Sequence, residues 1–136
     1  MEKIKLLIAE NDEDEQFFMQ DGFEGSGYFK IIAFASSGDE LLELLRSEAN
    51  DKPDMILSDL NMPGKNGYDI LRELGADPVF SAIPIVITST SSIKSVINTC
   101  MQLGAAKFIQ KPETFVEYAE FAKELAETVR LGKLQS

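Results

Sequence analysis

Histidine is absent from this sequence and cysteine occurs once. Without histidine, nucleophilic catalysis through Ser-His or Cys-His pairs is excluded, as are most zinc sites. A single cysteine forbids an internal disulfide, and Cys100 falls on an apolar helical stripe, where a thiol is core filler. Positive charge is scarce: 13 Lys and Arg face 23 Asp and Glu, for a net charge of −10. That balance argues against binding nucleic acid or an anionic membrane. No apolar run could span a bilayer, and the opening Met1-Glu2-Lys3-Ile4-Lys5-Leu6 lacks a signal-peptide profile. A cytoplasmic protein is expected.

What is present is an alternation of strand-length apolar runs with stretches of helical period. The chain has 136 residues, 44% of them hydrophobic and 26% charged, which suits one globular domain with a sizeable core. Lys5–Ala9 reads as a first strand, buried on both faces because it barely alternates. Asp12-Glu13-Asp14-Glu15 offers a capping box and an acidic first helical turn, and Phe17, Phe18 and Met19 give that helix apolar surface. Its end is blurred by Gly22, Gly25 and Gly27, and Gly25-Ser26-Gly27 reads as a turn. Ile31–Ala35 is the second strand; Ser37-Gly38-Asp39-Glu40 then caps a helix carrying Leu41, Leu42, Leu44 and Leu45.

Met55-Ile56-Leu57-Ser58-Asp59 forms the third strand, followed by turn chemistry and a helix capped by Asn66 with Ile70, Leu71 and Leu74 inward. Ile85–Thr88 is the fourth. Ser91 and Ser92 cap a fourth helix, which places Ile93, Val96, Ile97, Cys100 and Leu103 at helical spacing and closes at Gly104. Lys107–Gln110 is the fifth strand. The last helix starts near Glu113 with Phe115, Ala119, Ala122, Leu125 and Val129 on one face, leaving Tyr118 and Phe121 off the buried stripe. Five such units predict an α/β, flavodoxin-like, doubly wound parallel sheet in the order 2-1-3-4-5 with helices on both faces.

Ligands in open α/β sheets bind beyond the carboxyl ends of the strands. There the first strand delivers Glu10, Asn11 and Asp12, the third Asp59, the fourth Ser89 and Thr90, and the fifth Lys111. Clustered acidic oxygens without histidine or thiolate suit a hard cation that keeps waters, such as Mg²⁺. A hydroxyl and an ammonium opposite suit phosphoryl oxygens, and a carboxylate between metal and ammonium can accept that phosphoryl group.

These residues resemble the receiver domain of two-component response regulators, in particular stand-alone receivers of the chemotaxis-regulator kind. The likeness runs through Glu10-Asn11 in LLIAENDED, Asp59 in LSDLNMPGKNG, Ser89 in IPIVITSTSS and Lys111-Pro112 in GAAKFIQKP, with spacings of 30 and 22 residues from Asp59 to Ser89 to Lys111. It implies a single receiver domain over 1–136 with no output domain, and the start at Met1 with no trailing linker favours a whole gene product. Asp59 would accept a phosphoryl group from a sensor histidine kinase or phosphotransfer protein. Asp59, the main-chain carbonyl of Asn61, Glu10 and Asn11 would hold Mg²⁺. Lys111 would pair with Asp59 and then with the phosphoryl group, ahead of a cis link to Pro112. Ser89, with Thr90 beside it, and the aromatic Phe108 would switch the face of the fourth helix, fifth strand and fifth helix toward a downstream protein target. Asp12, Ser91 and Asn61 stand at the rim. A monomer or weak homodimer is implied.

One position departs from the pattern. Asn11 stands where the family has a second acid, so Mg²⁺ binding should be weakened. That leaves a degenerate receiver, acting by phosphorylation-independent protein binding, as the main alternative. A haloacid-dehalogenase-like phosphatase fits poorly, because it needs an acid two residues after its nucleophile on the first strand. Here that residue is Asn61, and Asp59 ends the third strand. The chain is thus expected to be a signalling module, not a metabolic enzyme.

Overall fold

The computed structural model describes residues 2–48, 51–111 and 118–135, with side chains to residue 130. Ten elements alternate along the chain: β1 (Ile4–Ala9), α1 (Glu13–Gly25), β2 (Phe29–Ala35), α2 (Gly38–Arg46), β3 (Met55–Asp59), α3 (Gly67–Gly75), β4 (Ile85–Ser89), α4 (Lys94–Gln102), β5 (Lys107–Gln110) and α5 (Tyr118–Gln135). The strands pair in parallel in the order β2-β1-β3-β4-β5. Among the described residues, no helix is long and apolar enough to cross a membrane.

The period-two alternation of each strand divides the core between the two faces. Leu7, Ala9, Ile56, Ile85 and Ile87 pack beneath leucines of α2 and α3 and beneath Cys100 of α4. Leu6, Ile8, Met55, Leu57, Val86 and Ile109 face α1 and α5, where they meet Met19, Phe23, Tyr118, Ala122, Leu125, Ala126 and Val129. Both faces of the inner strands are therefore dry, which explains their unbroken apolar runs.

Several local expectations are corrected. Asp12 does cap α1 through its Oδ1, which accepts from the Asp14 and Glu15 amides, but the Glu15 carboxylate does not close a capping box. It accepts instead from the Tyr118 hydroxyl. Tyr118 is accordingly buried against Phe23, not set off the stripe, while Ala119 is exposed. Phe121 is partly buried on the same core. Ser91 and Ser92 do not cap α4. Ile93 is its N-cap, without a side-chain hydrogen bond, and is 61% exposed. The Ser91 hydroxyl accepts from the Ile93 amide in a turn that ends before the helix begins. Phe17 is 65% exposed and adds nothing to the core. Phe115, the expected start near Glu113 and the Lys111–Pro112 link lie outside the described residues.

The α1–α5 contact explains one glycine. A Cβ on Gly22 would lie 2.6 Å from Tyr118 Cβ and 2.9 Å from the Ala119 nitrogen, so α5 can approach α1 only across a bare backbone. Gly25, three residues on, faces open space. Gly22→Ala should cost about 1–3 kcal/mol through overpacking despite alanine's better helix propensity. Gly25→Ala should leave stability unchanged or raise it by up to about 1 kcal/mol. Chemical denaturation of the two variants measures the contrast.

Candidate functional site

Each strand facing α1 and α5 continues its apolar alternation into a polar residue at its carboxyl end. Leu6-Ile8 leads to Glu10, Met55-Leu57 to Asp59, Val86 to Thr88 and Ile109 to Lys111. The parallel register brings these ends together, with Ser58 beside Ala9 and Asp59 beside Thr88. The strand order places β4 between β3 and β5, so Lys111 reaches Asp59 by crossing β4.

Glu10 is fully buried and Asp59 is 7% exposed. Two carboxylates withdrawn from water repel one another unless a cation joins them. Lys111 supplies it: its Nζ lies 2.7 Å from Glu10 Oε1 and 3.1 Å from Asp59 Oδ2. Burial alone would lower the lysine pKa, but the Glu10 contact and the charges of Asp59 and Glu10 outweigh it, and the ammonium is held above its ordinary value. Burial raises the Glu10 pKa; Lys111 opposes that rise, the Asp59 charge adds to it, and the carboxyl ends above its usual range.

The remaining contacts fix these groups in place. Glu10 Oε2 accepts from the Asp12 amide at 3.1 Å, and its main-chain carbonyl accepts from the Gln16 side chain. Asp59 Oδ1 accepts from the Asn61 amide at 3.3 Å. The Lys111 amide donates to the Ser89 carbonyl at 2.7 Å, tying the β5 end to β4. The Ser89 hydroxyl is buried and accepts from the Ser91 amide at 3.1 Å. Thr90 is exposed, with its carbonyl near the Gln110 amide group. Phe108 is half-buried against the core on the α2, α3 and α4 face. Asn11, Asp12 and Asn61 are exposed at the mouth, and Ser91 is half-buried there.

Among the described residues, no three Asp, Glu, His or Cys side chains stand close enough together to hold a metal. Two carboxylates converge, and Asp12 is occupied as the α1 cap instead of turning inward. The donor chemistry, two carboxylates with amide and main-chain oxygens, still fits a hard divalent ion that keeps several waters. It fits with one negative charge fewer than a three-acid site.

Two groups escaped the sequence reading. The loop after Asp59 is clamped to the start of α2: Gly38 N–H donates to the Lys65 carbonyl and Asp39 Oδ2 accepts from the Lys65 amide, both at 3.0 Å. A Cβ on Gly38 would fall 2.3 Å from that carbonyl, and Gly64 at φ +69° would put one 2.3 Å from Asp39 Oδ2. A glycine in the first position of a helix, where nothing in helix formation asks for one, was the available signal. The second is Thr88, a hydroxyl in the otherwise apolar start of β4.

Residues 6–123 match the sequence profile of the response regulator receiver domain. The chain is 30% identical over 111 residues to the chemotaxis protein CheY1 of Helicobacter pylori, covering 82% of this chain and 87% of that protein. It is 31% identical over 138 residues to a protein-glutamate methylesterase/protein-glutamine glutaminase of Clostridium acetobutylicum. That match takes in this whole chain but spans 39% of the larger protein. The crystal structure of the phosphorylated cyanobacterial phytochrome response regulator RcpA superposes with a TM-score of 0.82 at 28% identity, over 93% of each chain.

The charge deficit at the mouth has a measurable consequence. Asn11→Asp adds a carboxylate beside Glu10 and should tighten Mg²⁺ binding about tenfold. Calorimetric titration of both proteins checks it, and equal affinities would remove position 11 from the ligand set.

Proposed function

This chain belongs to the response regulator receiver family of two-component signalling, and from that membership we propose that Asp59 is its phosphoacceptor. The observation that carries the reading is the Lys111 ammonium held between buried Glu10 and Asp59. It lies against the Asp59 carboxylate at the carboxyl edge of the sheet, where it is placed to meet phosphoryl charge. An Asp59 oxygen attacks the phosphorus of a phosphohistidine on a sensor kinase or phosphotransfer protein. The new P–O bond forms as the P–N bond breaks. The electron pair stays on an imidazole whose other nitrogen carries a proton, so the leaving group is neutral.

Lys111 then turns from the free carboxylate to a phosphoryl oxygen, a charge-assisted contact. A divalent cation held by Asp59, Glu10, the Asn61 carbonyl and the Asn11 amide oxygen would supply further neutralisation of phosphoryl charge. Ser89, released from the Ser91 amide, donates to the phosphoryl group, with Thr90 flanking it. Phe108 then has room to turn inward. The switched surface is the α4–β5–α5 face, where Ile93 and Met101 are exposed for a downstream protein.

The domain itself therefore signals through protein contacts, in the cytoplasm, as a monomer or weak dimer, and carries out no metabolic turnover. Asn11 favours one second reading, a receiver that binds partners without being phosphorylated. Incubation with acetyl phosphate and Mg²⁺, followed by intact-mass measurement, separates the two. A single added phosphoryl group that Asp59→Asn abolishes is the expected result. No labelling, even with a cognate kinase, would establish the second reading.

A further inference from the structure

Thr88 is 1% exposed, and its Oγ1 has no hydrogen-bond partner among the described residues. Its backbone lies in register with Asp59 on one side and Ile109 on the other, and its carbonyl accepts from Leu60 N–H at 2.9 Å. The side chain shares a sheet face with Val86, and so with Glu10, Asp59 and Lys111. A buried hydroxyl left idle is destabilising, and valine would fill the same shape without that penalty. β4 here is otherwise Ile85, Val86 and Ile87 up to this point, so an apolar residue would suit the site.

The position suggests what the hydroxyl serves. To reach Asp59 on β3, the Lys111 side chain must cross β4, and Thr88 is the last buried β4 side chain on that face. The ammonium has three N–H groups. Two carboxylates now draw it toward β1 and β3. A phosphoryl group on Asp59 would replace one of them and reorient the ammonium.

We propose that Thr88 is a positioning residue of the phosphoryl site, its hydroxyl oxygen accepting an N–H of Lys111 once Asp59 carries a phosphoryl group. The proposal rests on the Asp59 reading and acts through Lys111, so it concerns how long the phosphoryl group is held. The idle hydroxyl is then the unphosphorylated half of a two-state contact.

The test uses Thr88→Val and Thr88→Ser in the full chain, labelled with acetyl phosphate. Thr88→Val should raise the melting temperature of the unphosphorylated protein by about 2–5 °C. It should also shorten the phosphoryl half-life about tenfold, the factor that one hydrogen bond to a charged group carries. Thr88→Ser should restore the half-life. Stability and lifetime moving in opposite directions is a result that simple packing would not produce. A half-life within twofold of wild type in Thr88→Val, or a lowered melting temperature, overturns the proposal while leaving Asp59 in place. Wild-type protein that takes up no phosphoryl group at Asp59 overturns both.

Discussion

One ammonium between two buried carboxylates is the constraint around which this fold is arranged. Glu10 and Asp59 end adjacent strands, and both are withdrawn from water. Two carboxylates so placed would repel one another. Lys111 keeps both charges tolerable, and it can do so only because β5 lies on the far side of β4 with its carboxyl end at the same edge. A different strand order would leave the cation out of reach. The two apolar cores hold the strand ends in register, and the ion triad makes that register chemically useful.

The same edge collects the amino-terminal ends of the helices, as parallel β-α connectivity requires. Asp12, Ser37 and Asn66 each cap one through a side-chain oxygen, and Asn66 with Asp69 closes a full capping box. These ends present partly positive backbone to a site whose two carboxylates and one ammonium leave it one charge negative. They also brace it. The α1 start holds Glu10 through Gln16 and the Asp12 amide, and the α2 start holds the loop after Asp59 through Lys65. On its β1 and β3 sides the site is thus tied to the starts of two helices.

The fold and the convergence of Glu10, Asp59 and Lys111 were legible because both are written in short-range patterns. Met55–Asp59 reads as a buried strand ending in an acid whatever surrounds it, and so does the run into Glu10. What could not be read depends on contacts between distant segments. Glu15 looks like the second half of a capping box until Tyr118, 103 residues away, offers it a better partner. Tyr118 belongs to the buried stripe of α5 with Ala122, Leu125 and Val129, and the bare backbone of Gly22 is what lets it sit against α1. Gly38 shows its purpose only against the Lys65 carbonyl. Thr88 is inconspicuous in sequence, since threonine is a good strand residue, and its idle hydroxyl becomes visible only in three dimensions.

The start of α4 is tied to the end of β4 by a short chain of contacts. The Ser89 hydroxyl accepts from the Ser91 amide, and the Ser91 hydroxyl accepts from the Ile93 amide. Two hydrogen bonds thus connect the end of β4 to the residue that opens α4. The helix start has no side-chain cap, and the helix packs through buried Cys100 with Val96 and Leu103 partly buried beside it. Were Asp59 phosphorylated as proposed, turning Ser89 toward a phosphoryl oxygen would remove the acceptor from Ser91 and free the first link. A helix with better caps would absorb that loss locally. With Cys100 buried, Val96 and Leu103 partly buried and the start uncapped, a change there would on the proposed reading reach Ile93 and Met101, whose apolar surface is exposed. Among the helices whose starts are described, α1, α2 and α3 each carry a side-chain cap and α4 does not, so α4 is the one whose start such a change would meet with least resistance.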